Sequence, residues 1–135
     1  MRSQSVIDKV AWLHIQNRKL LVVRSYGNDM FFMPGGKREQ GESDALALLR
    51  EAKEELNVDL IAATMKLVRV FEGEAHGKPP GTLLRSACYA AEHKGELKPS
   101  SEIEEIAWFT SKDTARATSN GLMIMRWLAE QNLID

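Results

Sequence analysis

Residues 36–58 read GKREQGESDALALLREAKEELNV, and the spacing within them decides the reading of the chain. Ser43 is a good helix N-cap, and Asp44 in the first turn suits the positive helix end. Ala45, Leu48, Leu49, Ala52 and Leu56 recur at helical spacing and predict a buried stripe. Asn57 tolerates the left-handed conformation that ends many helices. Opposite the stripe, Glu51, Glu54 and Glu55 are three and four residues apart, so their side chains should be neighbours on one face. Like charges so placed repel, and they sit where the helix end is already negative. Arg50 and Lys53 offset only part of that cost.

Read alone, the cluster is as well explained by a solvated acidic face as by a site. A hard divalent cation tips the balance, because Mg²⁺ takes oxygen ligands and commonly joins one or two carboxylates to substrate phosphates. The flanking residues suit that chemistry. Gly35 and Gly36 lack a Cβ, so their backbone can approach a metal or phosphate closely. Arg50 can grip a carboxylate with two hydrogen bonds, and Glu42, just before the helix, is the plausible partner.

Outward from this segment, residues 6–15 and 20–24 are rich in β-branched and apolar residues and predict two strands. A turn at 16–19 separates them, which predicts a hairpin. Met30 to Met33 is a short apolar run stopped by Pro34-Gly35-Gly36. Residues 67–72 and 83–91 predict two more strands, joined by a loop rich in glycine and proline. Gly95 marks a turn, and Ile103, Ile106, Trp108 and Phe109 predict a last strand. Residues 122–133 close the chain as a helix, with Leu122, Met125, Leu128 and Ala129 inward. Strands with helices interspersed unevenly suggest an α+β fold.

The chain has 135 residues, enough for one domain (1–135) and too few for two. Hydrophobic residues at 44% and a net charge of −1 describe an ordinary globular protein, and argue against general nucleic-acid or membrane-surface affinity. The lone cysteine, Cys88, can supply neither a disulfide nor a zinc site, and reads as a small buried hydrophobe. No run of 18 apolar residues exists and no signal-peptide pattern opens the chain, so a cytoplasmic protein is expected.

The segment resembles the Nudix box: Gly, five residues, Glu, seven residues, then Arg-Glu-apolar-any-Glu-Glu-any-Gly-apolar. Gly36, Glu42, Arg50, Glu51, Ala52, Glu54, Glu55 and Val58 meet it, and Asn57 replaces the last glycine. Pro34-Gly35 before the box and Trp108-Phe109 after it also look like the family. The resemblance implies an α/β/α sandwich with a mixed β-sheet. It also implies Mg²⁺- or Mn²⁺-dependent hydrolysis of a nucleoside diphosphate linked to another moiety. By resemblance, Glu51, Glu54, Glu55 and the Gly35 carbonyl are metal ligands, and Glu42 and Arg50 are the stabilising pair. Glu102 resembles the glutamate outside the box that assists MutT-like members, with Glu104 and Glu105 competing for that role. The expected reaction is in-line attack of water on a pyrophosphate phosphorus, with Glu51 or Glu102 as base.

Specificity lies outside the box. Arg24 could face the cleft, and Asn120, placed before the last helix, matches an asparagine that reads a purine edge in MutT-like enzymes. Asn-Gly is equally an ordinary turn signal. His76, Lys78 and Arg85 could meet a phosphate or stay solvated. Tyr26, Phe31, Phe32 and Phe71 are candidate stacking surfaces, most of them better explained as core. The first expected substrate is a nucleoside triphosphate, with an oxidised purine in view. Nucleotide-sugars such as ADP-ribose and dinucleoside polyphosphates are alternatives, and a catalytically silent nucleotide sensor is the reading from another class. Many relatives dimerise, but no exposed apolar stripe in this chain demands a homodimer.

Overall fold

The computed structural model describes residues 5–75 and 77–135. Its elements run β1 (Val6–Trp12), β2 (Ile15–Gln16), β3 (Lys19–Ser25), β4 (Gly35–Lys37), α1 (Asp44–Leu56), β5 (Asp59–Leu60), a 3₁₀ turn (Ala62–Thr64), β6 (Lys66–Glu74), β7 (Leu83–Ala90), β8 (His93–Lys94), β9 (Ile103–Phe109) and α2 (Ser119–Glu130). A mixed four-stranded sheet has the order β4-β1-β7-β6, with β1 parallel to β7 and the other pairs antiparallel. A three-stranded sheet runs β2-β3-β9, and β5 pairs with β8.

The strands form a central layer with a helix on each side. Val10 and Trp12 of β1, Leu21 and Val23 of β3, and Ile106 and Trp108 of β9 pack with α1. Their alternate neighbours Ala11, Leu20, Val22, Ala107 and Phe109 pack with α2. That is why 20–23 reads Leu-Leu-Val-Val without alternation: the strand is buried on both faces. The layering is the expected α/β/α sandwich.

The expected hairpin between 6–15 and 20–24 does not form. β1 pairs along its whole length with β7, from Val6↔Leu83 to Trp12↔Tyr89. Only the two-residue β2 turns back onto β3, around Asn17 and Arg18, which both have positive φ. Strand propensity identifies strands but not partners. Pairing with β7 lets β1 bury one face under each helix, which a free hairpin could not offer.

The helix α1 starts at its Ser43 cap, whose hydroxyl accepts from the Leu46 N–H at 3.2 Å, and ends on a left-handed Asn57 (φ 58°). Its buried face differs from the expected stripe. Ala47 replaces Ala45, and Glu55 is buried with Leu48, Ala52 and Leu56 rather than opposite them. The acidic side of the helix is thus folded against the sheet edge. The helix α2 starts earlier than expected, because Thr118 caps it by accepting from the Gly121 N–H at 3.1 Å. Asn120-Gly121 is therefore in the first helical turn and not a turn before it. Cys88 is fully buried, which pushes its thiol up to about 12.

Candidate active site

Three carboxylates converge at the β4 edge of the sheet. Oxygens of Glu51, Glu55 and Glu102 all lie within 4.8 Å of one another. Glu51 and Glu55 are one turn apart on α1, while Glu102 arrives from the turn preceding β9. The Tyr26 N–H donates to the Glu102 carbonyl at 3.0 Å, which ties that turn to the end of β3. Glu104 and Glu105, its competitors by sequence, are held elsewhere by Arg24, at 2.7 and 3.1 Å. This corrects the expectation for Arg24. Its side chain, only 14% exposed, lies over Phe31 and serves those two carboxylates instead of the cleft.

Glu55 is 2% exposed and accepts from the Gly35 N–H at 2.8 Å. Burial pushes its carboxyl up to about 8; that one hydrogen bond opposes the shift, and the Glu51, Glu102 and Glu54 charges add to it. Burial likewise raises Glu51, against the pull of Arg50. Gly36 stands beside them, and a Cβ there would sit 2.8 Å from the Glu51 carboxyl carbon and push that side chain out of its place. Glu54 is outside the tight group, half exposed and 3.5 Å from Arg50 Nη1.

Arg50 organises the opposite side. Its Nε and Nη2 donate to the two oxygens of Glu42 at 2.8 and 2.9 Å, and its Nη1 donates to Glu51 Oε1 at 2.8 Å. Nη2 also reaches the Lys37 carbonyl at 3.2 Å. One guanidinium thus fastens the 37–42 loop to the helix and aims Glu51. The same hydrogen bonds, with help from the Glu39 N–H, hold the Glu42 carboxyl down at about 2, so the pair stays charged at any ordinary pH. Arg50→Lys keeps the charge but not the fork. It is expected to weaken Mn²⁺ binding roughly 10–100-fold, the usual range for losing a group that orients a ligand. Calorimetric titration of the metal checks this, and unchanged affinity would show that Arg50 does not orient Glu51.

Beside the carboxylates, on the α2 side of the sheet, lies a cavity of about 430 Å³. Gly35 and Gly36 form its boundary with the carboxylate group, and Phe32, Met33, Ser86 and Asn120 are among its walls. Asn120 Nδ2 lies 3.3 Å from Ser86 Oγ, while its Oδ1 is buried with no hydrogen-bond partner among the described residues. A buried acceptor left open costs about 1–3 kcal/mol, so this atom is set to receive a donor from a ligand. Lys78 lines the same cavity. Arg85 does not; it is exposed on β7, 3.9 Å from Asp8. His76 lies outside the described residues. Of the candidate aromatics, Phe32 lines the cavity, Phe31 and Phe71 are core, and Tyr26 is 65% exposed. A larger hollow of about 690 Å³ borders Leu13, Thr64 and Leu133 and includes none of the three carboxylates.

Sequence reasoning missed Lys9, Ser86 and Thr118, which also line the cavity. Lys9 left a trace, being a charged residue in the alternating series Ile7-Lys9-Ala11-Leu13. Ser86 and Thr118 left none, since their place depends on how the start of α2 packs against the sheet.

The carboxylate group suits a divalent cation. Ligand oxygens at about 2.0–2.1 Å from Mg²⁺ are at most about 4.2 Å apart, and the oxygens of Glu51, Glu55 and Glu102 lie within 4.8 Å of one another. The raised Glu55 carboxyl points the same way, because a nearby cation reverses such a shift.

The family model described as the NUDIX domain matches residues 8–128, so the chain belongs to the Nudix family. It is a Nudix hydrolase, an enzyme acting on phosphoric anhydride bonds. The fold is similar to that of the MutT protein from Methanosarcina mazei Go1, with a TM-score of 0.77 and 16% identity over 98% of this chain and 99% of that one. It is similar to the MutT Nudix hydrolase from Burkholderia pseudomallei, at 0.73 and 20% identity over 91% and 98%. It is also similar to an ADP-ribose pyrophosphatase from Streptococcus suis, at 0.66 and 20% identity over 93% and 90%. No curated protein matches the chain significantly by sequence. Nudix hydrolases act on small nucleotide substrates and depend on divalent metal, and this structure has a group of acidic residues whose oxygens are close enough together to hold an ion. No helix among the described residues is long and apolar enough to cross a membrane.

Proposed function

We propose that this enzyme hydrolyses a nucleoside triphosphate to the monophosphate and pyrophosphate, with Mg²⁺ held by Glu51, Glu54, Glu55 and the Gly35 carbonyl, and with the Glu102 carboxylate beside them. The observation that carries the reading is adjacency. The carboxylate group and the cavity holding the open Asn120 acceptor share Gly35 and Gly36 as a common wall. A phosphate chain crossing those glycines would have its base in the cavity and its anhydride bond beside the carboxylates. The cation, when bound, offsets the charge of the phosphate oxygens. Arg50 keeps Glu51 in place, and the Gly35 N–H keeps Glu55 in place. Glu102 is the base we favour for the attacking water. Among the described residues its carboxylate has no hydrogen-bond partner, whereas Glu51 already accepts from Arg50. The open Asn120 oxygen favours a base that presents a donor to it, such as an exocyclic amine.

The test is release of monophosphate from a panel of nucleoside triphosphates, oxidised purine triphosphates, nucleotide-sugars and dinucleoside polyphosphates, with Mg²⁺, Mn²⁺ or EDTA. Metal-dependent turnover of a triphosphate, absent in EDTA, is expected. Preference for ADP-ribose would favour the nucleotide-sugar reading, which the likeness to the Streptococcus suis pyrophosphatase supports. Binding with no turnover of any panel member would favour the sensor. Asn120→Ala is expected to raise KM about tenfold for the preferred base, at little cost to kcat, since it removes one buried polar contact. An unchanged KM would remove Asn120 from base recognition.

A further inference from the structure

The α2-facing side chains of β1 run Ile7, Lys9, Ala11, with Leu13 continuing the series just past its end, and the first three line the cavity. An ammonium in that series serves no packing purpose. It is also badly placed among its neighbours. Lys9 is directly opposite Lys37 on β4, and like charges opposite one another destabilise a strand pair. Lys78 lines the same cavity. Among the described residues, none of these three lysines makes an ion pair. Glu74 is the one carboxylate of the cavity lining, and it too is unpaired among the described residues. Lys9 is exposed, yet the nearby walls partly desolvate its ammonium and lower its pKa; Lys37 and Lys78 lower it further, while Glu55 and Glu51 oppose them.

The position of Lys9 along the cavity floor gives this charge a meaning. On one side its strand neighbour is Ser86, which holds Asn120. Adjacent strands are about 4.8 Å apart, so the ammonium is within a side chain's reach of whatever Asn120 grips. On the other side its partner is Lys37, and next along β4, opposite Val10, is Gly36 with the Glu51 carboxylate against it. The order is thus base acceptor, ammonium, glycine wall, carboxylate group. In a nucleotide the group between the base-bearing sugar and the scissile anhydride is the phosphate on the 5′ carbon.

We propose that Lys9 is the positioning residue for the substrate's 5′ phosphate, the one retained in the monophosphate product, with Lys78 adding positive charge beside it. This rests on the nucleotide reading above and names which phosphate the cavity grips. Lys9 binds the non-bridging oxygens of that phosphate as a point charge and does not take the proton of the attacking water. It thereby fixes how far the chain extends over Gly36.

The experiment is titration of the full chain in EDTA with the four nucleoside 5′-monophosphates and their nucleosides, for wild type, Lys9→Met and Lys9→Arg. Wild type is expected to bind one monophosphate about tenfold more tightly than its nucleoside, a gap that shrinks with salt. Lys9→Met should erase that gap without changing nucleoside affinity, and Lys9→Arg should keep it. In turnover assays with Mg²⁺, Lys9→Met should raise KM about tenfold, and Lys9→Arg should restore it. A gap that persists in Lys9→Met, or a wild type with no gap, overturns the proposal. Equal loss of nucleoside and monophosphate in Lys9→Met also overturns it, because that is collapse of the cavity. A wild type that turns over no nucleotide in the panel defeats the nucleotide reading, which is a different failure from a silent Lys9 substitution in an active enzyme.

Discussion

Glu55→Gln is expected to lower kcat on the order of 10³-fold while making the metal-free protein more stable at alkaline pH. The activity loss follows from its place in the carboxylate group, where electrostatic help of several kcal/mol is at stake and each 1.36 kcal/mol is about tenfold in rate. The stability gain follows from burial. A free glutamate titrates near about 4.3, and Glu55 near 8. Between those values the folded protein holds a proton that the unfolded chain releases, so its stability falls as pH rises through that window. Above pH 8 the wild type carries a buried charge among like charges, and the neutral amide does not. Gln preserves the acceptor for the Gly35 N–H. Added Mn²⁺ should restore the wild type at high pH and leave the variant unmoved. Thermal unfolding at pH 5 and pH 9, with EDTA or Mn²⁺, checks this. A variant less stable than wild type at pH 9, or one with wild-type turnover, would refute the account of Glu55.

Gly35→Ala is expected to cost roughly 3–5 kcal/mol of stability, the range of severe single substitutions. Gly35 has φ +145°, which L side chains rarely adopt, and a Cβ there would overlap the Val10 carbonyl oxygen and press on Ala11 Cα at 2.9 Å. Both obstacles are backbone of the paired strand β1, so no side chain can swing aside. The strands must part, and the N–H that Gly35 gives Glu55 parts with them. Gly41→Ala is the control. It also replaces a glycine at positive φ (+83°), but with open space around it, so only the conformational cost of roughly 1–2 kcal/mol applies. Urea midpoints distinguish the two, and equal losses would mean that strand crowding is not what reserves position 35 for glycine.

The legible part of the site was the part set by local spacing. Ser43 and Asn57 bound α1 because capping depends on a few consecutive residues. Arg50 meets Glu42 because a fork and a carboxylate eight residues apart face each other once the helix forms. The competition among Glu102, Glu104 and Glu105 was not legible. It is decided by Arg24, on a strand some eighty positions away in the chain, which draws two of the three aside.

The amino-acid sequence by itself determined the helix carrying the glutamates, the glycine wall before it, the strands as strands and membership of the Nudix family. These depend on propensity, capping and spacing, which act over a few residues. Tertiary structure alone decided that β1 pairs with β7, that Glu55 is buried, that Arg24 turns from the cleft, and that Lys9 meets Ser86 and Asn120 in one cavity. Each of those depends on which distant surfaces exclude water together. The burial that results is what lifts the Glu55 carboxyl and leaves the Asn120 oxygen unpartnered, so the groups that give this site its chemistry acquire it only when the chain closes around them.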